Sequence, residues 1–113
     1  MPMVWDEANA VATVGGDRGL ALAMLTELIA SLPMELRTFE RLLQGARLDE
    51  LAERAHRCRG GAAYCGVPDL IAALTALEKS ARAGSRGQTE QAMAAVADAT
   101  ANLQRLDLDA ITQ

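Results

Sequence analysis

Apolar residues recur three and four positions apart along most of the 113-residue chain, and that rhythm divides it into helices. The longest stripe is Leu20, Ala23, Met24, Leu28, Ile29, Leu32, Leu36, Phe39, Leu42 and Leu43, which predicts a helix over 18–43. Its phase is unchanged across Pro33. That favours one long helix kinked there over a new helix with Pro33 in its first turn. Gly45 is expected to end it with a left-handed cap. Leu48, Leu51, Ala55, Cys58, Ala62 and Cys65 then alternate as a bundle seam, predicting a helix over 48–64 with Asp49 and Glu50 at the positive end of its dipole. Leu70, Ile71, Leu74, Leu77 and Ala81 predict a helix over 68–83, with Pro68 in its first turn. Ala92, Met93, Val96, Ala99, Leu103 and Leu106 predict the last, over 89–108, after a flexible turn at Gly84-Ser85-Arg86-Gly87. A shorter pattern from Val4 to about Val14 predicts a leading helix carrying Trp5, and Asp17 is placed to cap the helix that follows it.

Four long amphipathic segments joined by short glycine-containing loops describe an all-α fold, an antiparallel four-helix bundle with a short additional N-terminal helix. The whole chain, 1–113, reads as a single domain. Composition agrees: half the residues are apolar, yet there is only one Phe, one Tyr and one Trp, so the core is built from Ala, Leu, Val, Ile and Met. The net charge of −4 comes from interspersed acids and bases with no basic stripe, which argues against nucleic acid as a partner. No uninterrupted apolar run approaches the roughly 20 residues of a membrane span, and no signal peptide opens the chain, so the expectation is a cytoplasmic domain without membrane contact.

Candidate chemistry gathers in one stretch, Ala55 to Pro68, which holds the only histidine and both cysteines. On a helical wheel the seam through Leu48, Leu51, Ala55, Cys58 and Ala62 centres more than about 100° from His56, which therefore projects to solvent. Ala52, Gly60 and Ala63 are its small wheel neighbours, with Asp49, Glu53 and Arg59 beside them. Gly60 and Gly61 would each cost about 1 kcal/mol relative to alanine inside a helix. Either the helix ends there, or it continues and the missing side chains leave room for a partner's backbone. The stripe continues in phase to Cys65, which favours the second. Cys58 and Cys65 lie about 10 Å apart along one helix, beyond the reach of a disulfide, and read as buried free thiols.

A solvent-facing imidazole is largely neutral and nucleophilic near pH 7. With Arg59 one turn away to counter charge, His56 has the minimum needed to carry a phosphoryl group. The alternatives are an ordinary surface histidine on a non-catalytic helical adaptor, an autonomous kinase, and a metal site from His56, Cys58 and Cys65. A kinase needs an ATP-binding domain for which this length has no room, so it is expected only if this stretch is part of a longer hybrid protein. The three metal-ligand candidates diverge from a single helix, so no metal is expected.

The stretch resembles the histidine phosphotransfer (HPt) family, whose pattern is a histidine, Lys or Arg three residues on, Gly four on and another Gly about ten on: here His56, Arg59, Gly60 and Gly66. The continuation from Ala62 to Leu70, Trp5, and the run from Met24 to Pro33 are similar to the C-terminal HPt domains of BarA/GacS-type hybrid sensor kinases. Cys58 stands where leucine is common, and Gly61 where serine is. The resemblance implies a phosphocarrier in a two-component phosphorelay, with no ATP site or cofactor of its own. His56 would relay a phosphoryl group between aspartates of response-regulator receiver domains, which would bring the divalent metal. It also implies docking through Ala52, Glu53, Gly60 and Ala63, and a cognate hybrid sensor kinase acting in cis or in trans.

Overall fold

Asp6, Asp17 and Ser85 each open a helix by accepting a backbone N–H three residues on, from Asn9 at 3.1 Å, Leu20 at 3.0 Å and Gln88 at 3.3 Å. The computed structural model describes residues 4–112, and the elements among them are all helical: α1 (Glu7–Thr13), α2 (Arg18–Gln44), α3 (Leu48–Ala62), α4 (Pro68–Arg82), α5 (Arg86–Gln104) and α6 (Leu108–Thr112). α2 packs on α3, α3 on α4, α4 on α5, and α5 closes back on α2. Connections of only three to five residues, at 45–47, 63–67 and 83–85, make neighbours in this ring antiparallel. Phe39, Leu25, Leu32, Leu51, Leu70, Leu74, Leu77, Val96 and Leu103 fill the centre, each less than 2% exposed.

α2 continues through Pro33 as one helix about 40 Å long, as the unbroken stripe predicts. Its first turns depart from that stripe. Leu20 is 46% exposed and Ala23 is exposed, while Ala21, Leu22 and Leu25 are buried instead. Here α1 packs on α2 and rotates the buried face away from the bundle seam. α2 is also long and apolar enough to cross a bilayer by length and composition alone, a test that the core helix of a bundle passes as well. The helix ends differently from the prediction too. Gly45 has φ −81°, and Ala46 takes the left-handed conformation at φ 55°. Ala46 N donates to Leu43 O at 3.0 Å and Arg47 N to Leu42 O at 2.9 Å, the paired bonds of a Schellman cap.

α1 starts at Glu7 rather than Val4, since Asp6 is its cap. Residues 5 and 6 instead strap the α3–α4 connection: Asp6 N donates to Gly66 O at 2.7 Å and Trp5 Nε1 to Cys65 O at 3.0 Å. α5 begins three residues earlier than predicted because Ser85 caps it, so 84–87 is a helix start rather than a flexible turn. It stops at Gln104, and Asp107 then caps the separate α6, accepting from Ala110 N at 3.1 Å.

Candidate functional site

α3 carries the site through Gly60 and Gly61 and ends at Ala62, two residues short of the predicted limit. Its inward side is closed: Leu51, Ala52, Ala55 and Ala62 are all 0% exposed. Ala52 is therefore not on the outward surface where the wheel placed it. α3 is clasped by α2 on one flank and α4 on the other, so its buried arc is wider than a simple seam and takes in Ala52. Glu53, Gly60 and Ala63 are exposed as expected, Ala63 just beyond the helix end. Glu53 lies 4.0 Å from Arg57, an exposed i,i+4 pair worth little to stability.

The His56 side chain is 58% exposed. Its Nδ1 faces the carboxylate of Glu78 on α4, at 3.1 Å from Oε1 and 3.2 Å from Oε2. Arg59 Nη2 lies 3.0 Å from the same nitrogen and donates to Glu78 Oε1 at 3.0 Å. From the next turn of α4, Arg82 Nε donates to Glu78 Oε2 at 3.0 Å. Glu78 is only 14% exposed. Burial pushes its carboxyl up, but hydrogen bonds from His56 and Arg82 and the charges of His56 and Arg59 outweigh it and hold the carboxyl below the usual range. Nε2 has no partner among the described residues.

Glu78 and Arg82 were not legible as site residues, because His56 and Glu78 are 22 positions apart and meet only when α3 and α4 pack. The available signal was weak: Glu78 and Arg82 are an i,i+4 pair flanking the buried Leu77 and Ala81.

The cysteines belong to the other side. Both are free thiols. Cys65 is buried beyond the end of α3, its Sγ 3.8 Å from Met24 O and Gly61 O. Burial and the charge of Glu35 push the Cys58 thiol up to about 11, with Arg54 partly offsetting them. Among the described residues no three His, Cys, Asp or Glu side chains gather as metal ligands. Gly60 and Gly61 meet open space where a Cβ would stand. Gly61 also lines a groove of about 310 Å³ between α2 and α3 with Met24, Glu27, Leu28, Ser31 and Cys65.

The residues of the HPt pattern thus lie together at this site: His56 exposed on a bundle helix, Arg59 one turn on and Gly60 beside it. The Hpt domain family matches residues 23–106. The chain belongs to the Hpt domain family. The sensor protein GacS of Pseudomonas syringae pv. syringae is 35% identical over 72 residues, covering 64% of this chain and 8% of that protein. The sensor histidine kinase GacS of Pseudomonas protegens is 36% identical over 70 residues, covering 62% and 8%. The chain thus spans under a tenth of the length of these curated relatives. No solved structure matches it. As an Hpt domain with sensor-kinase relatives, it has a histidine phosphotransfer role in two-component signalling.

Proposed function

We propose that His56 relays a phosphoryl group between aspartates of response-regulator receiver domains. The observation that carries this reading is the open Nε2 of a 58% exposed imidazole, beside a stretch of helix stripped of side chains. An aspartyl phosphate on one receiver is attacked in line by Nε2, and a second receiver takes the group onto its own aspartate. The receiver supplies the divalent metal, and this domain supplies the imidazole and a docking surface formed by Glu53, Gly60 and Ala63. Arg59 and Arg82 against the single charge of Glu78 keep the surroundings of the neutral ring cationic, which offsets the charge of an incoming phosphoryl group. The groove lined by Met24, Leu28 and Gly61 extends the docking surface onto α2.

The domain is a phosphocarrier without an ATP site, in the cytoplasm, working with a cognate hybrid sensor kinase as part of the same chain or as a separate one. The test is to mix it with receivers carrying labelled aspartyl phosphate. Acid-labile, base-stable label should appear on the native domain and be absent from His56→Gln. Equal labelling of His56→Gln, or no labelling from any receiver of the same cell, contradicts the reading and favours a helical adaptor.

A further inference from the structure

The docking face is electrically lopsided about His56. Towards α4, Arg59 and Arg82 share the one carboxylate of Glu78, each at 3.0 Å, which leaves that flank cationic. Towards α2 the balance is reversed. Glu35 is matched by Arg54 at 3.4 Å and Glu53 by Arg57 at 4.0 Å, and Glu27 is left over. Glu27 is exposed and lines the groove with Met24, Leu28 and Gly61, and it makes no hydrogen bond or ion pair among the described residues. Ser31, one turn further along the groove, donates its hydroxyl to Leu28 O at 2.8 Å instead.

We infer that Glu27 selects the receiver, by pairing with a Lys or Arg that lies beside the apolar side chain the receiver seats in this groove. Met24, Leu28 and Cys65 give the groove apolar walls, and Gly61 leaves it open on the α3 side, so an apolar side chain suits it. Covering the groove strips water from the Glu27 carboxylate. A carboxylate left unpaired under an interface is costly, and a like charge opposite it costs more. A cation removes both penalties, so receivers that present one are accepted and receivers that present an acid are turned away. On the other flank, Arg59 and Arg82 suit the anionic phosphoryl group. Reversing the partner would set each charge against its like, so the two flanks together favour one orientation.

The inference rests on the phosphocarrier reading and adds a specificity-determining residue to it. Glu27 has no part in the bond changes at His56, so it acts on encounter and docking rather than on the transfer step. Substituting it should change the dependence on receiver concentration and on salt, and leave the rate at saturating receiver in place. Glu40 supplies the control. It is another exposed carboxylate of α2, about 140° round the helix from Glu27, beside Arg37 and Arg41 and away from the groove.

The experiment follows label passing to the full chain from phosphorylated receivers of the same cell, over a range of receiver concentrations, using the receiver that labels the native domain fastest. At sub-saturating receiver, Glu27→Lys should slow transfer about tenfold and Glu27→Gln about threefold, with the saturating rate held within about twofold. Glu40→Lys makes the same change in net charge and should alter neither rate. Raising the salt from about 0.05 M to about 0.5 M should narrow the gap between native protein and Glu27→Lys. Equal rates for native protein and Glu27→Lys, or an equal loss in Glu40→Lys, overturn the inference. So does native efficiency in Glu27→Gln, which would mean that a neutral donor faces this position, and so does a loss confined to the saturating rate. The receiver's own residue is found by reversing its surface Lys and Arg residues to Glu one at a time. One reversal should slow transfer to the native domain and restore it to Glu27→Lys; the absence of any such residue counts against the inference. A native domain that no receiver labels would instead bring down the phosphocarrier reading itself.

Discussion

Gly66 and the Gly60–Gly61 pair lie within seven positions of each other and are glycine for opposite reasons. Gly66 faces inward. Its φ is +67°, and a Cβ there would stand 2.5 Å from Asp6 O and 2.8 Å from Ala10 Cβ, so both the backbone and the N-terminal strap require glycine. Gly60 and Gly61 are helical, and an added Cβ would meet nothing within 4 Å. Nothing inside the molecule requires glycine at 60 or 61, and each weakens the helix. One glycine closes the fold; the other two leave space outside it. The difference marks Gly60 and Gly61 as bare helix surface beside His56, the surface on which the proposed docking depends.

Substitutions separate the two kinds. Gly66→Ala should be the most damaging: left-handed strain of about 1–2 kcal/mol adds to overpacking of about 1–3 kcal/mol. A loss of about 2–5 kcal/mol in urea unfolding is expected, a large share of the stability of a domain this size. A loss below about 1 kcal/mol would mean that the strap yields readily. Gly60→Ala and Gly61→Ala should do the reverse, each raising stability by up to about 1 kcal/mol while slowing phosphoryl transfer from a receiver roughly tenfold. Greater stability with unchanged transfer would remove the case for a reserved surface.

Ala46 sharpens the comparison from the other direction, as a position whose backbone favours glycine but which carries alanine. With φ at 55° in the C-cap of α2, Ala46→Gly should stabilise the domain by about 0.5–1 kcal/mol, read as a shift in the denaturation midpoint. The smallest effect concerns the outward side. The Glu78 carboxyl is held below its ordinary value of 4.5, so the stability it contributes is complete above about pH 4.5 and is lost as pH falls through its folded value. The stability difference between native protein and Glu78→Gln should therefore shrink on acidification below about pH 4.5. A difference that stays constant there would show that the Glu78 network adds nothing to the fold.

Much of this was readable from sequence because periodicity and caps are local. The four bundle helices, the passage through Pro33 and the outward direction of His56 all follow from spacing along one element. What failed depended on neighbours. The buried face at the start of α2 is set by α1, Ala52 is covered because α3 is clasped on two sides, and Glu78 reaches His56 only across a helix pair. The cap at Ala46 was missed for another reason: a left-handed residue that is not glycine has no sequence mark. Half of the site's electrostatics is tertiary.

The most direct test of the account is to locate the phosphate itself. The native domain is phosphorylated by a receiver, digested under alkaline conditions that preserve phosphohistidine, and mapped by mass spectrometry. The account predicts a single modification, on His56. Phosphate at any other residue, or a His56 peptide recovered unmodified from a phosphorylated domain, would contradict it.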